Sequence, residues 1–190
     1  LGAADAPVVI VEFSDYLCPY CGNFYLEAIL PVLEAYPDDV QYIHRDAPVL
    51  DETASMQASM AAGCAEEQGK FWEMHNILFS LYEDLDLDAL HEAKQSGNME
   101  MWLEHVNLFS EENLRDMAAE AGLDLAAYDT CMAEDTRATE VVIDLQTAYQ
   151  LGVRGVPAFI INGQMVGGAQ PYEQLVQMVD AMLATRPIQR

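Results

Sequence analysis

Basic residues are scarce in this chain. Against 32 aspartates and glutamates it holds 8 lysines and arginines, and only Lys70 and Lys94 are lysines, so the formal net charge is −24. A surface of that sign repels a phosphate backbone instead of neutralising it, which removes nucleic acid from the expected partners. Long apolar runs are missing as well. No stretch reaches the roughly 18 consecutive apolar residues that a bilayer-crossing helix needs, so none is expected. The opening Leu1-Gly2-Ala3-Ala4-Asp5 has no basic segment followed by an apolar one and does not read as a leader. A leader or anchor ahead of Leu1 stays open. No internal repeat or low-complexity tract occurs, and there is neither an HExxH nor a second CxxC to complete a structural zinc site. His44, His75, His91 and His105 show no paired ligand spacing and read as structural or exposed. No metal and no organic cofactor is expected.

What is present is enough apolar material for a core: 52% of 190 residues, which suits one domain or one domain with a sizeable insertion. Residues 7–13, PVVIVEF, have the β-branched content and length of a strand and run into the turn Ser14-Asp15-Tyr16-Leu17-Cys18. Residues 19–36 place Phe24, Ala28, Ile29, Val32 and Leu33 at helical spacing, and Pro31 within them is expected to kink or break the helix. Residues 39–45, DVQYIHR, read as a second strand, and a β-α-β crossover favours a parallel pair. The next hundred residues carry almost no strand signal. Met56, Met60 and Cys64 share one helical face, and Phe71, Met74, His75 and Leu78 start another periodic stretch after Gly69. A helix opens at Ser110 and stops at Gly122; two more are marked by Leu125, Tyr128 and Met132 and by Val141, Leu145 and Ala148. Residues 84–107 show no clear period. Residues 158–161 return to strand character, Asn162-Gly163 signals a hairpin, and Pro171 opens a last amphipathic helix.

Four cysteines, an even number, fit an oxidising compartment. Cys18 and Cys21 form a close pair in Cys18-Pro19-Tyr20-Cys21. If Cys18 is the N-cap of the following helix, Pro19 takes the first helical position, where its missing amide proton costs nothing, and Cys21 follows one turn later. Free amides and the helix dipole then stabilise a thiolate at Cys18, making it the nucleophile and Cys21 the resolving thiol. The alternative is a CxxC that staples a turn or ligates a metal. Cys64 and Cys131 lie on apolar helix faces, which suits buried free thiols.

The element order, with CPYC after the first strand and Gly155-Val156-Pro157 before the hairpin, resembles the thioredoxin fold in its DsbA-like form. The segments that carry the resemblance are FSDYLCPYC, CAEEQGKFWEMHNILF, GVRGVPAF and INGQMVGGAQP, and it covers nearly the whole chain. It implies an α/β fold with residues 1–52 and 153–190 as a thioredoxin-like domain and residues 53–152 as an inserted all-helical domain. It also implies a thiol-disulfide oxidoreductase acting on exported polypeptides through a mixed disulfide on Cys18. Its substrates would be reduced or misoxidised chains, regeneration would come from a membrane thiol oxidase of DsbB or VKOR type, and the setting would be periplasmic or otherwise extracytoplasmic. By the same resemblance Pro157 is cis and exposes the Val156 backbone to substrate, Glu12 is a buried proton acceptor for Cys21, and Cys64 pairs with Cys131 in an accessory disulfide. Tyr20 departs from the histidine familiar at its position, which puts the oxidising strength in doubt. A reductase or isomerase with the same site, and a non-enzymatic metal- or small-molecule-binding module, remain alternatives. The acidity has two readings: a surface adapted to high salt, or an ordinary acidic domain kept soluble by its charge.

Overall fold

The computed structural model describes residues 1–83 and 85–185, with the side chains of Asp88, His91, Ala93 and Lys94 outside that description. Strand β1 (Val8–Ser14) sits inside a four-stranded sheet of order β2-β1-β3-β4. It pairs in parallel with β2 (Val40–Asp46) and antiparallel with β3 (Ala158–Ile161), which pairs antiparallel with β4 (Gln164–Gly167). The β3–β4 turn is Asn162-Gly163, both at positive φ, as a tight hairpin of this twist requires. Asn162 also accepts from the Val9 amide at 2.8 Å and donates to the Pro7 carbonyl at 2.9 Å, so the hairpin is tied to the neighbouring strand as well.

Between β1 and β2 the chain forms α1 (Pro19–Phe24), a π-helical turn (Tyr25–Ile29) and α2 (Leu30–Ala35). Pro31 therefore does not break the helix. The wider turn ahead of it changes the hydrogen-bond register, Leu30 donating back to Tyr25, and the proline falls in the first turn of α2, where its missing amide proton leaves no bond unmade. Between β2 and β3 the described chain is helical: α3 (Ala54–Glu67), α4 (Phe71–Ser80), α5 (Leu87–Ser96), α6 (Met99–Asn107), α7 (Glu111–Glu120), α8 (Leu125–Ala133) and α9 (Ala138–Gln150). The last element is α10 (Tyr172–Ala184). The stretch without a clear period supplies α5 and α6. Asp86 accepts from the Ala89 amide at 2.9 Å at the start of α5, and Gly97 at φ +76° separates the two helices.

Along β1 the side chains at 8, 10 and 12 are buried on one face, in a core shared with α1, the π-helical turn, Tyr42, Leu78, Leu114, Cys131 and Leu175. That core runs without a gap from the sheet into the helical block. Phe13 points to the other face, among Ala47, Ala148, Val153 and Ala158. Phe24 and Phe159 stack at 5.1 Å, fastening α1 to the sheet with about 1 kcal/mol beyond simple burial. Cys64 on α3 and Cys131 on α8 form a disulfide with Cα atoms 5.9 Å apart. Arg137, at the start of α9, lies against Gly63 and binds Glu66 and Glu140, joining α9 to the same corner.

Candidate active site

The turn leaving β1 is built on a buried carboxylate. Asp15 Oδ1 accepts from the Leu17 amide at 2.9 Å, while Oδ2 accepts from the amides of Val49 and Leu50 at 2.8 and 2.9 Å. One side chain thus shapes the turn and ties it to the loop after β2. The Cys18 amide donates to the Asp15 carbonyl at 2.9 Å, and the Cys18 carbonyl accepts from Cys21 and Gly22 at 3.0 and 3.1 Å. Cys18 is the N-cap of α1, in extended backbone conformation, and Pro19 is the first helical residue. A group at this position stands at the start of the helix, where unpaired amides favour negative charge.

Both thiols are free, Cys18 at 3% exposure and Cys21 fully buried. Across the site the Val156–Pro157 peptide bond is cis, and the Cys18 thiol donates to the Val156 carbonyl at 3.7 Å. Pro19, Tyr20 and Val156 line a largely apolar cavity of about 360 Å³ with Leu50, Leu90 and Trp102. Two thiols so close together differ in their chemistry. Burial pushes the Cys21 thiol well above the ordinary cysteine range, and its hydrogen bond with Cys18 and the charges of Cys18 and Glu12 push it further.

Glu12 is fully buried on β1, in register with His44 on one side and Phe159 on the other. Its Oε2 accepts from the Tyr42 hydroxyl at 2.8 Å, while its Oε1 has no hydrogen-bond partner among the described residues. Burial raises its pKa to about 7, against the opposing pull of His44 and Tyr42. A carboxyl of this kind exchanges its proton near neutral pH.

The fold thus gathers Cys18, Pro19, Tyr20, Cys21, Val156 and Pro157 into one site, with Glu12 in the core close enough for its charge to act on Cys21. Cys64 and Cys131 belong to the α3–α8 corner. Among the described residues no group of three or more histidines, cysteines and acids is placed to hold a metal ion. His44, His75 and His105 are buried; the side chain of His91 lies outside the described residues. Sequence reasoning gave no site role to Asp15, Tyr42 or Tyr82, and read His105 as structural or exposed. Asp15 carries a readable signal, an aspartate two residues ahead of a turn amide. Tyr82 and His105 carry none, since they meet the turn from 66 and 88 residues away.

A family model described as Thioredoxin matches residues 1–181. A sodium/proton antiporter NhaA 3 from Salinispora tropica is 30% identical over 186 residues, 97% of this chain and 24% of the antiporter, so the chain spans about a quarter of that relative. The crystal structure of a thioredoxin-like oxidoreductase from Silicibacter pomeroyi superposes with a TM-score of 0.75 at 27% identity, over 98% of this chain and 92% of the other. The thiol-disulfide exchange protein alpha-DsbA2 from Wolbachia pipientis shares the fold with a TM-score of 0.72 at 22% identity, over 95% and 84% of the two chains. With a CPYC pair capping the first helix of such a fold, the chain belongs to the thioredoxin family.

Proposed function

We propose that this protein oxidises dithiols in exported polypeptides through a mixed disulfide on Cys18. The observation that carries the reading is the placement of Cys18: it caps α1 with its sulfur 3.7 Å from the Val156 carbonyl beside a cis proline, and a fully buried thiol stands behind it. Starting from a Cys18–Cys21 disulfide, a substrate thiolate attacks the Cys18 sulfur. The sulfur–sulfur bond breaks and the electron pair leaves on Cys21, which takes the proton held by Glu12. A second substrate thiolate then attacks the substrate sulfur, Cys18 leaves as a thiolate, and two electrons have passed from substrate to protein. Leaving is favoured at Cys18 by the helix start and at Cys21 by protonation.

The backbone at Val156 offers an edge along which an extended substrate segment can pair. The substrate is a reduced or misoxidised polypeptide, and a membrane thiol oxidase of DsbB or VKOR type restores the disulfide. An extracytoplasmic setting agrees with the Cys64–Cys131 disulfide, since structural disulfides belong to oxidising compartments. No described helix is long and apolar enough to cross a membrane.

The test is a pair of variants, each reduced, incubated with an unfolded protein that carries scrambled disulfides, so that the Cys18 thiolate attacks a substrate disulfide and releases a substrate thiolate. Cys21→Ser keeps the attacking thiolate and should accumulate mixed disulfides, whereas Cys18→Ser should neither trap substrate nor exchange. Equal trapping by both would refute this division of roles. The equilibrium of the parent pair with glutathione reads the direction: a potential near −270 mV, roughly that of thioredoxin, would make the protein a reductase with the same site.

A further inference from the structure

Two side chains of the helical block reach the last two peptide units before the nucleophile. The Tyr82 hydroxyl donates to the Tyr16 carbonyl at 2.7 Å, and His105 Nε2 donates to the Leu17 carbonyl at 3.0 Å. A carbonyl only accepts, so His105 carries a proton on Nε2. Both side chains are buried, and the hydroxyl and the imidazole nitrogen are 3.4 Å apart. Helix α1 comes close to Tyr82: a Cβ on Gly22 would lie 2.2 Å from the ring, so the approach needs glycine next to Cys21. Trp102 and Phe109 pack against the imidazole at 5.4 and 5.8 Å between ring centres. Burial pushes the Tyr82 phenol up, and the charges of Cys18, Asp15 and Cys21 push it further, so the hydroxyl is within electrostatic reach of the nucleophile. The CPYC motif contains no imidazole; His105, which bonds the backbone of its turn, comes from α6.

We propose that Tyr82 and His105 are positioning residues for thiol-disulfide exchange, donating to the carbonyls of Tyr16 and Leu17 and thereby stabilising the Cys18 thiolate and the reduced form of the pair. This rests on the reading of Cys18 and Cys21 as a redox pair. A peptide carbonyl carries partial negative charge, and in a buried site its repulsion of a nearby thiolate is weakly screened. A donated proton offsets part of that charge and fixes the peptide planes that lead into Cys18. The disulfide form has no charge at Cys18 to protect, so the two bonds favour the reduced form. A purely structural role would weaken both forms alike, which makes the redox equilibrium the discriminating measurement.

Tyr82→Phe removes only a hydroxyl and keeps the ring against Gly22. His105→Leu removes the imidazole donor, and His105→Gln keeps an amide that can replace it. Each full chain is equilibrated with reduced and oxidised glutathione, the Cys18 thiolate is titrated by its ultraviolet absorbance, and both redox forms are melted. Tyr82→Phe and His105→Leu should each move the equilibrium toward the disulfide by about 3- to 10-fold, the scale of one hydrogen bond. Both should raise the pH at which the thiolate forms, and His105→Gln should recover most of the shift. An unmoved equilibrium, with both forms melting lower by the same amount, would overturn the positioning role. If His105→Leu does not fold, Tyr82→Phe decides alone. A parent protein that fails to exchange with glutathione would instead overturn the redox reading underneath; a parent that exchanges beside unmoved variants would overturn only this inference.

Discussion

Glu12 is a carboxyl whose proton the fold holds to a higher pH. Burial raises its pKa from 4.5 to about 7, against the pull of His44 and the Tyr42 hydroxyl. In the unfolded chain the same group ionises near its ordinary value. Between pH 4.5 and about 7 the folded protein therefore holds a proton that the unfolded chain has released, and stability falls as pH rises through that window. The slope is at most about 1.4 kcal/mol per pH unit, and this contribution levels off above the folded pKa. Glu12→Gln cannot ionise and has no such slope. Denaturant unfolding at pH 5 and pH 8 should show the parent losing on the order of 2 kcal/mol more than the variant, the remaining carboxylates being common to both. Parallel losses would mean that Glu12 carries no raised pKa, and its part in moving the Cys21 proton would go with it.

At the scale of elements, the helical block is held at one corner by covalent and polar links together. The Cys64–Cys131 disulfide closes a separation of 67 residues between α3 and α8, a span that in the loop-entropy model restrains the unfolded chain by about 4 kcal/mol. Arg137 adds contacts from α9 to Glu66, Glu67 and Glu140, although these acids are half exposed and each pair contributes little by itself. Replacing both cysteines by alanine should lower the unfolding free energy by roughly 2–4 kcal/mol, read from the denaturant midpoint at constant slope. A loss below about 0.5 kcal/mol would show that the unfolded chain is already compact across this span. The elements differ in how plainly the sequence announced them. The strands, the Asn162-Gly163 hairpin and the helix capped by Ser110 rest on local patterns that survive in the fold. At Pro31 the helix continues past the proline because the π-helical turn ahead of it shifts the hydrogen-bond register, and α5 and α6 are so short that a helical period has few turns in which to repeat.

Over the whole molecule the charge of −24 outweighs the pairs that relieve it. Arg45 binds Asp144, Arg115 binds Asp129, Lys70 binds Glu73, and Arg137 serves three glutamates, so most of the 32 acids repel one another across the surface. Compacting such a chain works against that repulsion. Salt shortens its reach from roughly 30 Å at 0.01 M to 3 Å at 1 M. If the acidity is an adaptation to high salt, Tm should climb steadily between those concentrations. A flat Tm would favour the ordinary acidic surface.

Local chemistry was enough to mark Cys18 and Cys21: proline at a helix start, a strand before it and an N-cap position define the motif without reference to anything distant. Pro157 was marked by its turn, and its pairing across the site with Cys18 by resemblance. Which face of β1 takes Glu12 could not be read from VVIVEF, because both faces of a covered central strand are apolar; α1 and the helical block on one side and α9 on the other decide it. The contacts of Tyr82 and His105 with the active-site turn were equally beyond the sequence. A hydrogen bond between residues 66 or 88 positions apart leaves no period, cap or spacing to recognise, and only the packing of α6 and of the turn after α4 against the active-site turn creates it.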